Sequence, residues 1–350
     1  MRHATSHALH TMHAGRFLGP RRTEVATVPV PEPGPGQVLI EVARAGICGT
    51  DIHILDGDYA LAKFPMTPGH EFAGTVVALG AGVKLRSVGE RVTADPNLPC
   101  GLCPECQRGQ VNQCHDLAVV GVTRDGAFAR YVAVPEGVVV PIGDLSFAEG
   151  ALVEPLACVV WGLERVRVRP GDLALVLGAG PMGCMLLQAL KACGAARVAV
   201  VDVAPARLAL ARTLGADLAV TPSELALLRD LAPLGFELVV EATGVPSVLE
   251  GAIDHTRPGG TVWLFGVAPG DALAKVSPYT LFRRDLALIG TFAVNQTVPR
   301  AVAMIQGGAV KVTPLVSHVL PIEDFGEGLR LAAHDPDRMK VQFRFAEDDA

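Results

Sequence analysis

The first part of the chain predicts a mostly β domain. Short apolar runs rich in valine are separated by glycine, proline and polar residues, and none extends into a long 3.6-residue period. Such runs fall at residues 38–43, 74–79, 90–94 and 127–134, after a proline-rich extended segment at 28–36. Runs of this kind are typical of strands joined by turns. We therefore expect few helices before about residue 165.

The pattern changes near Arg165, where apolar runs begin to alternate with helix-like segments. The runs lie at residues 173–177, 198–201, 238–241, 261–267 and 286–289, and the helix-like segments include 205–214, 223–231 and 246–255. Strands that alternate with helices predict a parallel sheet covered on both faces. A helix at 299–306, an extended segment at 315–320 and a short helix at 324–333 follow, and we expect this tail to return to the first domain.

The chain of 350 residues is longer than a typical single domain, so two domains are expected. We place the first at residues 16–165 and 299–350, and the second at 166–298. Residues 1–15, which contain four histidines, are expected to be a disordered leader.

Composition excludes several classes of function. The net charge is −6 and no basic block occurs, which disfavours a nucleic-acid partner and an anionic membrane surface. Residues 173–190 carry no charge, but Gly178, Gly180, Pro181 and Gly183 interrupt them, so a strand, a turn and a helix are expected instead of a membrane span. The first 15 residues lack a long apolar core, and we expect a cytoplasmic protein with reduced thiols.

Four cysteines form one closely spaced motif with the pattern Cys-x2-Cys-x2-Cys-x7-Cys. They are Cys100, Cys103, Cys106 and Cys114. Four thiolates close a tetrahedral zinc shell and leave no position for a substrate, so a structural zinc site is predicted. His115 is an alternative ligand.

A glycine motif follows the first strand of the predicted parallel sheet and opens a helix. It comprises Gly178, Gly180, Pro181, Met182 and Gly183. Its glycines allow a tight turn, a close backbone approach to a pyrophosphate and close helix–strand packing, and the helix start offers free N–H groups. We predict a dinucleotide site here.

Asp202 stands at the end of the next predicted strand, at the usual distance from the glycine motif. A carboxylate there accepts hydrogen bonds from both hydroxyls of an adenosine ribose and repels a 2′-phosphate, which predicts NAD(H) over NADP(H). Arg207 lies close enough to moderate that repulsion. The alternative for Asp202 is a helix cap or an exposed loop carboxylate.

Three further segments carry candidate metal ligands: residues 46–53, 68–74 and 153–158. With these segments, the cysteine motif and the glycine motif in this order, the chain resembles the zinc-dependent medium-chain dehydrogenase/reductase family, the alcohol dehydrogenase-like enzymes. The likeness covers nearly the whole chain after residue 15. It implies an α/β protein with a GroES-like β-rich catalytic domain and a Rossmann domain with a doubly wound parallel sheet.

The resemblance also implies a catalytic zinc site. Cys48 and His70 match zinc ligands of the family, and Glu71 or Glu154 would complete the shell. Where alcohol dehydrogenases of the best-known type place a cysteine, this chain has Glu154, which resembles the polyol (sorbitol-type) branch. Which of the two glutamates binds the metal stays open. Cys158 does not match a ligand position, and we expect it to be a small core residue.

Four other residues match functional positions of the family. Thr50 matches the hydroxyl that takes the alcohol proton, and His53 matches the histidine that passes it to solvent. Val267 and Thr291 match positions that line the nicotinamide. The alternatives are an ordinary turn hydroxyl, a surface histidine and simple packing of the sheet core.

The expected function is therefore that of an NAD-dependent oxidoreductase with one catalytic and one structural zinc ion. The expected substrate is a secondary alcohol, most of all a polyol or sugar alcohol, which becomes a ketone. The alternatives are L-threonine 3-dehydrogenase, another zinc alcohol dehydrogenase, and a non-zinc NAD(P)H-binding reductase or binding protein. The resemblance further implies a homo-oligomer, either a dimer or a tetramer.

Overall fold

The structure is a computed structural model that describes residues 10–59 and 61–345. Within these residues the strands are β1 Thr11–Gly19, β2 Arg22–Pro29, β3 Gln37–Gly46, β4 Glu71–Leu79, β5 Arg91–Ala94, β6 Asn97–Leu98, β7 Ala118–Val119, β8 Tyr131–Pro135, β9 Val139–Pro141, β10 Leu173–Leu177, β11 Arg197–Val201, β12 Leu218–Val220, β13 Phe236–Glu241, β14 Thr256–Leu264, β15 Ala287–Gly290, β16 Val316–Pro321 and β17 Lys340–Arg344.

The α-helices of the same residues are α1 Gly49–Asp56, α2 Pro104–Gln107, α3 Phe147–Gly150, α4 Val153–Arg165, α5 Pro181–Ala192, α6 Pro205–Thr213, α7 Leu228–Leu231, α8 Pro246–His255, α9 Pro278–Arg284, α10 Val298–Gln306 and α11 Phe325–His334. Several of them have proline in the first turn, where the missing N–H costs nothing and the fixed φ suits a helix. Each of these helices is too short or too polar to cross a lipid bilayer.

The second half of the chain forms a six-stranded parallel sheet in the order β12-β11-β10-β13-β14-β15. Most central positions of its strands are apolar, as expected where helices cover both faces of a sheet, and Val176 and Val240 are fully buried. The strand order reverses between β10 and β13, where Leu177 and Glu241 are paired at the carboxyl ends. Ligands of such sheets bind in the crevice beyond these ends.

The first half forms a mostly antiparallel sheet that also contains the end of the chain. The order is β16-β17-β3-β4-β5-β9, and β8 also pairs with β3. Strand β17 pairs with β3 through Gln342 with Gly46 and Phe343 with Ala45. The tail thus returns to the first part of the chain, as expected.

The expected disordered leader is wrong from Thr11 onwards. Residues Thr11–Gly19 form β1, which pairs with β2, and Ala14 and Phe17 are fully buried. Phe17 packs against Phe325 with ring centroids 5.8 Å apart, so apolar contacts to the tail order this segment. The histidines among these residues conceal the strand in the sequence. Residues 1–9 lie outside the described part of the chain.

Helix α4 is the main element that the sequence pattern misses in the first half. It packs against α10 and α5, and its core side chains belong to the same apolar cluster as those of the parallel sheet. The approach is close because a side chain at Gly162 would overlap the Trp263 ring. Helix α4 therefore fixes its first turn, which contains Glu154, beside the antiparallel sheet.

Candidate metal centres and cofactor crevice

Cys48, His70 and Glu71 converge on one point. One ligand atom from each lies within 4.8 Å of the other two. Cys48 caps α1, while His70 and Glu71 stand at the start of β4, so three backbone positions on two elements aim at the same space. Gly69 precedes them with φ of 100°, and a side chain there would overlap Phe128. A thiolate, an imidazole and a carboxylate form a donor set that suits zinc.

Asp51, to which the sequence analysis assigns no role, is hydrogen-bonded to Cys48 and lies beside His70. Its Oδ2 accepts a 2.8 Å hydrogen bond from the Cys48 backbone N–H, and its Oδ1 lies 3.7 Å from His70 Nδ1. The side chain is fully buried, and burial raises the pKa of Asp51 to about 6. A carboxylate behind a metal-binding imidazole orients the ring and increases its basicity.

Lys340 is a second residue that the sequence reasoning missed. Its Nζ lies 2.7 Å from each oxygen of Glu71 and donates at 3.1 Å to the Ile47 carbonyl. Both side chains are buried. Burial opposes the charged amine, but the charge of Glu71 outweighs it and raises the pKa of Lys340. The ion pair fixes the position of Glu71, and the remaining lone pairs of its oxygens can still face a metal.

Glu154 lies near this cluster but outside the 4.8 Å group. Its Oε1 is 3.6 Å from the Cys158 Sγ, and its side chain is buried. Burial raises the pKa of Glu154 to about 7, with His70 opposing and Glu71 adding to the shift. Cys158 packs against the core, as expected, and its thiol donates to Glu154.

The charges and open atoms of this region fit a divalent cation. Among the described residues, Asp51 Oδ1 and His70 Nδ1 are buried without a hydrogen-bond partner. Despite burial, the charges of Asp51 and Cys48 raise the pKa of His70 well above its usual range. A buried set with more negative than positive groups stabilises a bound cation, and the cation relieves the repulsion among them.

Thr50 and His53 follow Cys48 on α1. Thr50 Oγ1 lies 3.7 Å from Cys48 Sγ, so the hydroxyl borders the cluster. His53 stands three residues farther along the helix and is half-buried. Residues three apart on a helix are neighbours on its surface, which gives a short path from the cluster outwards.

The glycine motif folds as the sequence predicts. Gly178 has φ of 109° and follows β10, Gly180 caps α5, and Pro181 and Met182 begin that helix. A side chain at Gly183 would overlap the Gly178 carbonyl oxygen, so the helix can approach the strand only with glycine there. The free N–H groups at the start of α5 lie at the strand ends, where a pyrophosphate binds.

Asp202 ends β11 and contacts this turn. Its Oδ2 accepts a 2.7 Å hydrogen bond from the Ala179 N–H, and its Oδ1 accepts a 2.8 Å bond from the Ala204 N–H. The carboxylate thus joins the glycine turn after β10 to the turn after its own strand. Arg207 lies on α6, where its Nη2 donates to the Arg338 carbonyl at 3.1 Å.

The two residues expected beside the nicotinamide lie past neighbouring strand ends. Thr291 follows β15, and its Oγ1 accepts a 2.9 Å hydrogen bond from Trp263 Nε1. Val267 follows β14, and its side chain is exposed. Both residues thus follow the carboxyl ends of neighbouring strands, the edge at which sheets of this kind bind their ligands.

The four cysteines of the sequence motif also converge. Their sulfur atoms lie within 4.8 Å of one another, and backbone N–H groups of Leu102 and Cys103 donate to Cys100 Sγ at 3.4 and 3.3 Å. These bonds lower the pKa of the Cys100 thiol and favour the thiolate that a metal needs. His115 instead pairs with Glu105 at 2.6 Å. We call residues 97–119 the cysteine lobe.

Two family profiles match the chain. The alcohol dehydrogenase GroES-like domain matches residues 34–144, and the zinc-binding dehydrogenase domain matches residues 181–307. D-altritol 5-dehydrogenase of Agrobacterium fabrum is 40% identical over 95% of this chain and 99% of its own length. The chain belongs to the zinc-binding, alcohol dehydrogenase-like family. Its fold class and its assignment as an oxidoreductase are thereby confirmed.

Other members of the family are similar in sequence and in structure. L-threonine 3-dehydrogenase of Mesorhizobium japonicum is 36% identical over 86% of this chain and 89% of its own length. The solved structure of a zinc-binding dehydrogenase from Sinorhizobium meliloti 1021, bound to NADP, has a TM-score of 0.92 and 33% identity, covering 96% of this chain and 99% of that one. Relatives in the family thus include both a polyol and an amino-alcohol enzyme.

Asp51 and Lys340 each have a recognisable signal in the sequence: the first is a capping position at a helix start, and the second is a charge at the start of a largely uncharged strand. Asp51 lies between Cys48 and Ile54 at the start of a helix, where a carboxylate can cap the backbone N–H three residues earlier. Lys340 begins a short strand whose following residues are all apolar or uncharged up to Phe343. A lysine in so buried a strand requires a partner charge.

Proposed function

We propose that this dehydrogenase oxidises a secondary alcohol, of the polyol or sugar-alcohol class, to a ketone with NAD as the hydride acceptor. The observation that supports it most is the convergence of the half-buried Cys48 with the buried His70 and Glu71, beside Asp51 and Lys340. Such a donor set leaves a coordination position for substrate.

In this proposal Cys48, His70 and Glu71 hold the catalytic zinc, with Glu154 beside them as the alternative carboxylate. The four sulfur atoms of the cysteine lobe hold the structural zinc. When bound, the catalytic zinc supplies a Lewis acid that eases loss of the alcohol proton, and the nicotinamide accepts the hydride from the carbon.

The side chains of this protein move the proton and hold the substrate. Thr50 Oγ1, next to Cys48, takes the proton of the substrate hydroxyl as it releases its own proton towards His53, which delivers a proton to solvent, so the threonine stays neutral. Glu154 is buried and polar, with a pKa near 7, so it can hydrogen-bond a second hydroxyl of a polyol in either protonation state. A substrate with neighbouring hydroxyl groups uses such a site better than a simple alcohol does.

The cofactor site uses the glycine motif for the pyrophosphate and Asp202 for the adenosine ribose. NAD is preferred because the Asp202 carboxylate repels a 2′-phosphate, although Arg207 moderates the effect. Val267 and Thr291 line the nicotinamide. The domains proposed are residues 166–298 for the cofactor, and 16–165 with 299–350 for the metal site; β1 extends the latter back to Thr11.

We also propose a cytoplasmic homo-oligomer. The thiols of the described residues are free, and Cys100 and Cys193 are exposed, which suits a reducing compartment. Strand β15 is an edge strand, and Tyr279 and Phe282 on the preceding helix are exposed, so this edge offers a surface for a second copy.

A substrate panel tests the proposal. Polyols, inositols, L-threonine and primary alcohols are each incubated with NAD or NADP, and the absorbance of the reduced cofactor is followed. Oxidation of polyols with NAD is expected. Activity on L-threonine with none on polyols would replace the substrate class, and equal use of NADP would overturn the assignment of Asp202.

A further inference from the structure

The segment Phe292–Thr297 follows the carboxyl end of β15 and is hydrogen-bonded to the cysteine lobe. Asn295 reaches the lobe with both atoms of its amide: its Oδ1 accepts from the Val111 N–H at 3.0 Å and its Nδ2 donates to the Gly109 carbonyl at 2.9 Å. The side chain is buried. It therefore binds the lobe backbone through one donor and one acceptor, as a neighbouring strand does.

Two asparagines of the lobe complete the grip from the other side. Asn112 Nδ2 donates to the Phe292 carbonyl at 2.6 Å, and Asn97 Nδ2 donates to the Val294 carbonyl at 2.8 Å. Both asparagines are buried. We call these bonds, with those of Asn295, the asparagine clamp. Buried amides that satisfy backbone groups on another segment fix the spacing of the two segments.

The backbone of the gripped segment depends on such contacts. Ala293 and Gln296 have φ of 52° and 59°, a region that non-glycine residues adopt at a cost of order 1 kcal/mol each. At its end, Thr297 Oγ1 donates to the Ala157 carbonyl on α4, one turn after Glu154. The conformation is thus held on one side by the lobe and on the other by the helix that contains Glu154.

The contact point in the lobe lies between two of its metal-binding sulfurs. Gly109, Val111 and Asn112 fall in the stretch between Cys106 and Cys114. When these two thiolates share a metal, the stretch between them is closed into a loop of fixed shape. The clamp can therefore transmit that shape to Phe292–Thr297.

From this arrangement we infer that Asn295 and Asn112 are positioning residues for the nicotinamide half of the cofactor. Through these two residues the cysteine lobe fixes the position of Phe292–Thr297, the segment that follows Thr291 at the nicotinamide. This inference rests on the proposed function. In this inference the structural metal site stabilises the fold and also, through the asparagine clamp, the position of the nicotinamide for hydride transfer.

Asn295→Ala tests the inference, with Gln188→Ala as the matched control. Gln188 is also a buried amide with paired backbone bonds, accepting from Lys311 N–H at 2.8 Å and donating to the Lys311 carbonyl at 3.1 Å, but it contacts neither the lobe nor Phe292–Thr297. Affinities for NADH and for ADP-ribose are measured by calorimetry. ADP-ribose has the adenosine and diphosphate groups but no nicotinamide, so it reports the rest of the site.

We expect Asn295→Ala to weaken NADH about tenfold, or 1.4 kcal/mol, while ADP-ribose changes less than about twofold. Gln188→Ala should leave the ratio of the two affinities as in the wild type. An Asn295→Ala protein that keeps the wild-type ratio, or loses both ligands equally, would overturn the inference. If that variant does not fold, Asn112→Ala removes the bond to Phe292 and is judged by the same ratio.

Metal retention gives a second readout. Because coupling of binding free energies between two sites is reciprocal, NADH should raise the zinc affinity of the cysteine lobe, measured at equilibrium against a chelator, in the wild type, and Asn295→Ala should abolish that increase. A lobe zinc affinity that NADH does not change in the wild type would contradict the coupling. A wild-type protein that binds no NADH at all would overturn the proposed function itself, which separates the two failures.

Discussion

Replacing Asp51 with asparagine should loosen the catalytic metal and leave the structural metal in place. Asparagine has the same shape, and its oxygen can still accept the 2.8 Å bond from the Cys48 N–H. The change that matters is the loss of a full negative charge 3.7 Å from His70 Nδ1. Asp51→Asn thus separates the charge of this residue from its role as a cap.

Two estimates give the size of the effect. Without a metal, burial raises the pKa of Asp51 to about 6, and two pKa units above the usual 3.8 correspond to about 3 kcal/mol that a nearby cation can recover. Partners behind metal-binding histidines typically contribute 10–100-fold in affinity, about 1.4–2.7 kcal/mol. We therefore expect zinc binding at Cys48, His70 and Glu71 to weaken by about 10–100-fold.

In the assay, the protein is brought to equilibrium with increasing concentrations of a chelator at pH 8, and the zinc ions bound per chain are then counted by mass spectrometry. At this pH, protons compete less for the ligands. The wild type should release its more weakly bound zinc ion at a defined chelator concentration. Asp51→Asn should release that ion at a chelator concentration about 10–100-fold lower. Asp217→Asn is the control, because Asp217 also accepts a backbone bond, from Val198 at 2.7 Å, but lies far from the metal. A release curve for Asp51→Asn that matches the wild type, or an equal shift of both ions, would refute the reasoning.

Three further predictions concern other charged side chains. Lys340→Met leaves Glu71 as an unpaired buried charge. The free energy of unfolding should therefore fall by about 3–5 kcal/mol in chelator-treated protein and by less in zinc-loaded protein. Equal losses in denaturant unfolding of the two forms would contradict this. Asp202→Ala should raise the KM for NAD at least about tenfold and the KM for NADP much less, because only the former loses two ribose bonds; steady-state kinetics with both cofactors decide, and a parallel rise would count against it. Burial raises the pKa of Asp95 to about 6, above its unfolded value near 3.8, so its ionisation costs the folded state stability as pH rises from about 4 to 6; Asp95→Asn should be more stable than the wild type by up to about 2–3 kcal/mol at pH 7 and no more stable at pH 4, which unfolding at the two pH values measures.

Much of the fold follows from the sequence because its signals are local. Five of the six strands of the parallel sheet are predicted, because their buried parts are mainly apolar runs, but the short strand β12 at Leu218–Val220 is missed. Helices α5, α6, α8 and α9 between the strands have proline in the first turn. The tail helices and strand also match, with α10 at Val298–Gln306 and β16 at Val316–Pro321. The strand predicted at 261–267 begins and ends earlier, at Thr256 and Leu264.

The misses have a common physical cause, which is that long-range contacts decide them. Strand β1 is ordered by the burial of Phe17 against Phe325, more than 300 residues away. The partner of Glu71 is Lys340, and no spacing rule links the two positions. The asparagine clamp likewise joins residues near 110 to residues near 295. Family resemblance indicates Cys48 and His70 as candidate ligands, but it does not indicate Asp51 and Lys340, which contact the candidate site.

The central claim is that Cys48 and His70, with a carboxylate, hold a metal that the alcohol reaction needs. Zinc per chain and NADH formation from a polyol, measured on the same samples of wild type and Cys48→Ala, test it most directly. We predict two zinc ions and oxidation of the polyol for the wild type, and one zinc ion with no oxidation for Cys48→Ala. A Cys48→Ala protein that keeps both ions, or that oxidises the polyol at the wild-type rate, would contradict the account.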